Sequence, residues 1–265
     1  MQTVCIYQRS RGPTFSRGAQ GPSPERLPLA HSRSRRLKAV ARSRSATSRL
    51  ARAAGALALT AAAILPLSAD RLDQASPQSK PIALFDGKTL DGWEGNLKIF
   101  RVQDGAIVGG SLAGKIVRNE FLCTTRSYGD FDLRLRVKLL GGDGANAGIQ
   151  FRTKRIPNHH EVSGYQADMG TGWWGALYDE SRRNKVLQGP DQAKMKQVVK
   201  SGDWNDYRIR AQGSHIQLWL NGVPTVDYEE ADPKIEASGL ICPQIHGGPP
   251  SEAWYKDITI VELTK

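Results

Sequence analysis

Three titratable side chains stand in segments whose residue types suit acid–base chemistry on a polar substrate. Asp168, Glu180 and His246 are surrounded by glycines, amides and aromatic residues rather than by runs of lysine and glutamate. Carboxyl groups and imidazoles that exchange protons with a bound substrate are common acid–base catalysts. We therefore treat these three residues as the candidate catalytic groups.

Amide, aromatic and cationic side chains accompany the three candidates. Many are spaced by two, as Gln166 is from Asp168, and Trp173-Trp174 offers a stacking surface. Sugar hydroxyl groups pair with amides and carboxylates, and the C–H faces of a sugar ring pack on aromatic rings. These residues predict a sugar-binding surface. Its candidate contacts are Gln150, Arg152, Glu161, Tyr165, Gln166, Trp174, Tyr178 and Gln244.

Strands are the elements that must position these side chains. In Phe131–Leu139, apolar residues hold the odd positions and charged residues the even ones, so one face is buried and the other faces water. Asn221-Gly222 between two apolar runs predicts a tight hairpin. Short strands at this spacing, with Asp191–Lys200 as a candidate short helix, predict an all-β sandwich of two antiparallel sheets over residues 81–265.

Alternation with a period of two brings the even-numbered residues of four segments to one sheet face if those strands lie side by side. A solvated outer surface, which every sandwich has, is the competing interpretation. Gln, Tyr and His in place of Lys and Glu favour a ligand site, as do the crowded glycines, because glycine in a strand often marks close approach. The set is Gln150, Arg152, Gln166, Asp168, Tyr178, Glu180, Gln244 and His246.

Charge divides the chain at about residue 80. Residues 1–80 hold 14 Lys and Arg against 3 Asp and Glu, which accounts for the whole formal net charge of +11, whereas residues 81–265 hold 23 of each. A neutral domain has no overall field for a polyanion. We therefore expect no nucleic acid partner.

Three segments precede the domain. Residues 1–47 are rich in Arg, Ser, Gly and Pro, and we interpret them as a disordered basic segment or as residues ahead of the true start. Residues 48–69 combine arginines, an apolar run and small residues suited to cleavage, as in a secretory signal peptide. Residues 70–80 form a predicted linker. We expect an exported protein, periplasmic or secreted, with no stable membrane span after cleavage.

Two cysteines, Cys123 and Cys242, lie in the domain. In an oxidising compartment they can form a disulfide. They can also remain two small buried side chains that never meet. Both alternatives stay open, because nothing in the sequence sets the distance between them.

Eight short runs in the domain carry a family resemblance. They are Leu84–Trp93, Asn119–Leu122, Gly148–Arg152, Gly164–Asp168, Gly175–Glu180, Asp203–Asn205, Trp219–Gly222 and Gln244–Gly248. In this order they resemble the 3-keto-disaccharide hydrolase family, which is common among exported bacterial proteins. The resemblance covers essentially all of residues 81–265 and implies a concanavalin A-like jelly-roll sandwich with a sugar site on its concave face.

The family's substrate, a 3-keto-glycoside, suggests a mechanism. The keto group acidifies the proton on carbon 2, so a base removes it, the group on carbon 1 departs, and water adds back. Asp168, Glu180 and His246 would supply the acid–base groups. Direct hydrolysis by two carboxylates stays open. The candidate hydrogen-bond donors are Arg152, Gln150, Gln166 and Gln244.

Two further questions stay open at this level. No cofactor is assigned, since no Cys, His and carboxylate set has zinc-like spacing, although Asp168, Glu180 and His246 would hold a divalent metal if the reaction uses one.

A non-catalytic carbohydrate-binding module of the same fold is the alternative function, with a cell-surface adhesion domain as a third, because a fold does not fix a function.

Overall fold

The computed structural model describes residues 80–264, so the predicted segments 1–47 and 48–69, and the linker 70–80 apart from Lys80, lie outside the described residues. Strands dominate the described chain, with one short helix. The elements are β1 (Ile82–Ala83), β2 (Trp93–Glu94), β3 (Phe100–Gln103), β4 (Ala106–Ser111), β5 (Glu120–Phe121), β6 (Cys123–Thr124), β7 (Phe131–Gly141), β8 (Asn146–Arg155), β9 (Val162–Gly170), β10 (Leu177–Glu180), β11 (Lys185–Gln188), α1 (Gln192–Val198), β12 (Asn205–Gln212), β13 (His215–Leu220), β14 (Val223–Glu229), β15 (Leu240–Ile245) and β16 (Ser251–Glu262).

Two antiparallel sheets are built from these strands. The eight-stranded sheet has the order β14-β13-β12-β7-β16-β4-β3, with β1 paired to β16, and the six-stranded sheet has the order β11-β10-β9-β8-β15-β5. Strands β2 and β6 form a separate short ribbon. The predicted jelly-roll sandwich of two antiparallel sheets is confirmed.

Strand β7 shows why the sheets pack face to face. Leu133, Leu135 and Val137 are buried in the main core, whereas Asp132 and Arg134 point away from it. Removing such apolar side chains from water is the main favourable contribution to folding. The alternation predicted for Phe131–Leu139 is therefore the pattern that the sheet uses.

Two buried tyrosines on the eight-stranded sheet reach across the core to the six-stranded sheet. The Tyr207 hydroxyl donates to the carbonyl oxygen of Asp168 at 3.2 Å. The Tyr255 hydroxyl lies 3.0 Å from the carbonyl oxygen of Gly148 and 2.5 Å from that of Gln244. Buried hydroxyl groups need such partners, and these contacts tie the two sheets together beneath β8, β9 and β15.

The predicted turn and helix both form. Asn221 and Gly222 join β13 to β14 with φ values of 49° and 80°, the left-handed conformation that a tight hairpin turn requires. Helix α1 begins after Asp191, whose carboxylate accepts a hydrogen bond from the amide of Ala193. Within residues 80–264, no helix has the length and apolar character needed to cross a membrane.

A disulfide joins Cys123 on β6 to Cys242 on β15, across a sequence separation of 119 residues. The pairing that the sequence left open is therefore present. Phe121 and Val162 pack around it in a small apolar cluster separate from the main core. The disulfide thus links the β2–β6 ribbon to the six-stranded sheet.

Candidate active site

Strand register brings the candidate side chains to one face of the six-stranded sheet. Gln150 on β8 lies directly opposite Gln166 on β9, and Gln166 lies opposite Tyr178 on β10. Asp168 and Gln244 both lie opposite Gly148, from the two strands that flank β8. Residues opposite one another in an antiparallel sheet share a face, and this face points away from the core.

A chain of side-chain hydrogen bonds ends at Asp168. The Gln150 Nε2 donates to Gln166 Oε1 at 2.7 Å, and the Gln166 Nε2 donates to Asp168 Oδ1 at 2.5 Å. Gly148 leaves the space for this chain, because a Cβ there would lie 2.6 Å from the Gln166 Cδ. The glycine therefore lets an amide lie across the strand.

A pocket of about 130 Å³ opens on this face. Trp173 forms part of its rim and is 41% exposed, with its ring edge-on to that of Tyr178 at 6.3 Å. The pocket therefore combines polar groups with an aromatic rim, as a sugar site does. Its lining residues are Asn146, Gln166, Asp168, Trp173, Tyr178, Glu180 and His246.

Asp168 is held in an environment that disfavours its charge. The side chain is 2% exposed, and Oδ2 has no hydrogen-bond partner within the described part of the chain. Burial raises the pKa of Asp168 to about 8, against the lowering effect of the Gln166 hydrogen bond. This carboxyl group is therefore mostly protonated at neutral pH and can donate a proton.

Glu180 is the second carboxyl group in the pocket. Burial, followed by the neighbouring charge of Glu161, raises the pKa of Glu180 to about 7. A carboxyl group with this pKa is substantially ionised near neutral pH and can accept a proton. The pocket thus joins a carboxylic acid to a carboxylate, the pairing that acid–base catalysis uses.

His246 lies at the exposed edge of the pocket. Its Nδ1 is 2.6 Å from the carbonyl oxygen of Gly247, and a carbonyl can only accept, so Nδ1 carries the proton. In the neutral ring this leaves Nε2 free to accept a hydrogen bond or a proton.

Comparison with known proteins gives the family. The profile of the 3-keto-alpha-glucoside-1,2-lyase-like domain matches residues 80–261, which is most of the chain and nearly all of the described part. The chain belongs to this family. The resemblance to 3-keto-disaccharide hydrolases predicted from the sequence is confirmed.

Solved structures share the architecture of the lyase-like domain. A protein from Parabacteroides distasonis, provisionally named a glycosyl hydrolase, is 18% identical with a TM-score of 0.52, covering 69% of this chain and 94% of its own. A carbohydrate-binding module from Bacillus subtilis is 14% identical with a TM-score of 0.50, covering 64% and 95%. A galectin-like protein from Bacillus subtilis is 9% identical with a TM-score of 0.52, covering 70% and 97%.

These identities establish the fold alone. No curated protein sequence matches the chain at a significant level. Membership of the family makes the lyase-like domain a carbohydrate-active hydrolase or a carbohydrate-binding domain, with a sugar as the ligand that suits its site.

Arg152 does not reach the pocket of the lyase-like domain. A register irregularity separates Phe151 from Lys154, and Arg152 within it has a φ of 45°. Its guanidinium is buried against Asp130 and the carbonyl oxygens of Gly129 and Gly213. The expectation that it joins the even-numbered face is wrong, because a bulge breaks the two-residue alternation.

Tyr165 and Trp174 also lie away from the pocket. The Tyr165 ring stacks on Phe151 in the core at 5.6 Å, and its hydroxyl donates to Glu230. Trp174 packs against the same core, so its neighbour Trp173 provides the aromatic rim instead. The contact roles predicted for these two side chains do not agree with this placement.

Glu161, Gln150 and Gln244 are near the pocket without lining it. Glu161 lies 3.3 Å from the Nε2 of His160, and its Oε2 is buried without a hydrogen-bond partner in the described chain. Gln150 and Gln244 are fully buried on the site's face, and both amide atoms of Gln244 lack a partner among residues 80–264. Burying polar groups without a partner costs folding free energy, and these side chains lie behind the residues that line the pocket.

Asn146 is a pocket residue that the sequence reasoning missed. It begins β8, two residues before Gly148, and its carbonyl accepts a hydrogen bond from the amide of His246. Extending the alternation of β8 by two positions would have found it.

As to metals, residues 80–264 contain no group of three or more His, Cys, Asp or Glu side chains placed to hold an ion. Asp168, Glu180 and His246 therefore do not form a metal cluster here.

The raised pKa of Asp168 predicts how stability depends on pH. Between the ordinary pKa of 3.8 and about 8, the folded chain keeps a proton that the unfolded chain loses. The contribution of Asp168 to the free energy of unfolding is therefore complete below pH 3.8 and declines as the pH rises to about 8. We expect Asp168→Asn to gain stability relative to the parent from pH 5 to pH 9, as measured by urea unfolding. The control is Asp143→Asn, which removes an exposed carboxylate outside the pocket and should show the same pH dependence of stability as the parent. If the stability of Asp168→Asn also changed with pH in parallel with that of the parent, the raised pKa of Asp168 would be contradicted.

Proposed function

We propose that the domain cleaves the glycosidic bond of a 3-keto-glycoside by acid–base elimination followed by hydration. The observation that carries the proposal is the pairing of Asp168 and Glu180 in one pocket, with pKa values raised to about 8 and about 7. Membership of the lyase-like family supports the choice of a 3-keto substrate.

The reaction needs a base for carbon 2. Removal of this proton leaves its electron pair shared with the 3-keto oxygen as an enolate. The carbonyl then re-forms, a double bond forms between carbons 1 and 2, and the bond from carbon 1 to the leaving oxygen breaks. Glu180 is the carboxylate available as the base, with the His246 Nε2 as the other acceptor at the pocket.

The leaving oxygen needs a proton as it departs. Asp168 is the carboxyl group that holds one at neutral pH, and its Oδ2 has no partner elsewhere in the described chain. A carboxylic acid in a water-poor site is an efficient donor to a developing anion. Water then adds its hydroxyl to carbon 1 and a proton to carbon 2, which releases a free 3-keto sugar.

Amide groups would stabilise the enolate and hold the hydroxyl groups. Gln166 lines the pocket, and Gln244 keeps an unpartnered amide on the same face. Preorganised donors aimed at a developing oxyanion lower the barrier of such a step. Gln150 supports them by orienting the Gln166 amide.

A carbohydrate-binding module is the second candidate. Trp173 is exposed beside Tyr178 at the rim, and exposed aromatic rings are the usual platform for a sugar in binding modules. Such a protein would bind the sugar without turning it over. The two functions therefore differ in their dependence on the pair of carboxyl groups.

Replacing the carboxyl groups tests the enzyme proposal. We expect Asp168→Asn and Glu180→Gln each to reduce cleavage of 3-keto-trehalose about 100-fold or more, because each removes a positioned acid or base. Substrate binding should change much less, since the amides and Trp173 remain. The control is Glu236→Gln, a surface carboxylate paired with Lys154. Binding by the parent with no turnover of 3-keto-trehalose or 3-keto-lactose would assign the binding-module function instead.

We also propose that the protein is exported, with residues 48–69 as its signal peptide. The Cys123–Cys242 disulfide supports this, because disulfides persist in oxidising compartments. N-terminal sequencing of the protein made in its bacterial host should find a mature chain beginning near Asp70. A stable cytoplasmic product that keeps residues 50–69 would contradict the proposal.

A further inference from the structure

The outer face of the eight-stranded sheet carries cations at regular intervals. Arg134, Arg136 and Lys138 alternate with the buried residues of β7 and point away from the core. Side chains two residues apart on a strand are about 7 Å apart. This row therefore extends over about 14 Å in the middle of β7, on the sheet opposite to the one that carries the pocket.

Tryptophan rings hold several of these cations in place. Lys138 lies opposite Trp254 in the sheet, with its Nζ 4.2 Å from the centre of the Trp254 ring and 5.0 Å from that of Trp204. The Nζ of Lys256 is 4.3 Å from the Trp204 ring, and the Arg136 guanidinium is 5.8 Å from it. We call these five residues the outer cation–tryptophan cluster.

The two lysines of the cluster have no counter-charge. Throughout residues 80–264, no carboxylate oxygen lies within ion-pair distance of the Lys138 or Lys256 Nζ, whereas Arg136 has only a long contact of 3.5 Å with Asp206. The domain as a whole carries equal numbers of acidic and basic side chains over residues 81–265. The cluster is therefore a local positive patch on a neutral molecule.

A cleft of about 480 Å³ adjoins the cluster on the same face. The Arg208 guanidinium lies 4.4 Å from the centre of the Trp219 ring and binds Asp132 through both carboxylate oxygens. Arg134 contacts the same carboxylate and Arg136 contacts Asp206, so the arginines of the cleft are paired and the unpaired cations are the two lysines of the cluster. The charged and aromatic side chains that line the cleft are Arg134, Arg136, Asp206, Arg208, Trp219 and Asp257. The patch thus has a built recess beside it rather than a flat solvated surface.

This arrangement favours an anionic ligand over a neutral sugar. Cations already lie over the rings of Trp204, Trp219 and Trp254, so these rings cannot serve as open stacking platforms. Cation–aromatic contacts instead fix the ammonium and guanidinium groups in position. Lys138 and Lys256, preoriented in this way and without an ion-pair partner in the described chain, suit carboxylate or sulfate groups.

We propose that the outer cation–tryptophan cluster and its cleft form a second, non-catalytic glycan site that binds acidic polysaccharide, with carboxylate or sulfate groups spaced along the chain. The site lies on the other sheet from the pocket, so a polymer there leaves the pocket open. The inference does not depend on the chemistry of the pocket. Holding an acidic glycan would keep the protein in a carbohydrate matrix.

Other polyanions fit this surface less well. A membrane surface calls for apolar anchors beside the cations. None of the exposed large apolar side chains of the described chain belongs to the cluster or lines its cleft; they are Ile82, Leu97, Leu112, Val117, Trp173, Val186 and Val223. Single-stranded nucleic acid is held largely by bases stacked on open aromatic rings, and here the rings are covered.

The test compares two double variants of the full chain. We expect Lys138→Gln/Lys256→Gln to weaken binding to dextran sulfate and to polygalacturonate about tenfold, since two preoriented charge contacts are lost. Lys98→Gln/Lys185→Gln removes the same charge from exposed positions elsewhere and should change affinity less than about twofold. The parent and both variants are produced in the same way and share the same N-terminal residues, with or without the proposed signal peptide, so that segment contributes equally to each measurement.

Neutral dextran and anionic phosphatidylglycerol vesicles complete the experiment. The parent should bind dextran, which has the backbone of dextran sulfate without its charge, far more weakly. Cleavage of a small soluble 3-keto sugar and the unfolding midpoint should be the same in both variants and the parent. Equal losses in the two variants, equal affinity for dextran, no binding of either acidic polysaccharide, or binding of vesicles alone would each overturn the proposal.

Discussion

Burial of the Asp168 carboxyl group is the constraint on which the candidate site depends. The fold excludes water from this group and gives it one donor, the Gln166 amide, which leaves Oδ2 unpaired in the described chain. Burying a charge without a partner is costly, so the group keeps its proton. Glu180, less buried and close to Glu161, has the lower pKa of the two. One pocket therefore presents an acid and a base.

The sandwich keeps this unfavourable arrangement in place from behind. Tyr207 bonds the carbonyl oxygen of Asp168 itself, and Tyr255 reaches the carbonyl oxygens of Gly148 and Gln244. These contacts fix the backbone on the core side of β8, β9 and β15 while the opposite face carries the polar side chains. The stability that the hydrophobic core provides thus offsets the cost of keeping unpaired polar groups ready for a ligand.

Strand alternation explains why much of the site could be predicted from the sequence. A period of two places Gln166, Asp168 and Glu180 on one face, and the register of the six-stranded sheet confirms it. The position of Arg152 could not be predicted in this way, because a bulge changes the side of the sheet to which its side chain points. No residue pattern in the sequence indicated this bulge. The disulfide could not be predicted either, because β6 and β15 become neighbours only in the folded topology, which local sequence does not show.

The most direct test of the elimination is to follow the hydrogen on carbon 2. Cleavage of 3-keto-trehalose in deuterated water should give 3-keto-glucose with deuterium at carbon 2, or an unsaturated product with no hydrogen there, as read by NMR. Free 3-keto-glucose incubated with the protein under the same conditions measures exchange after cleavage and must be slower. Complete retention of the original hydrogen at carbon 2 in the cleaved product would contradict the account and favour direct hydrolysis.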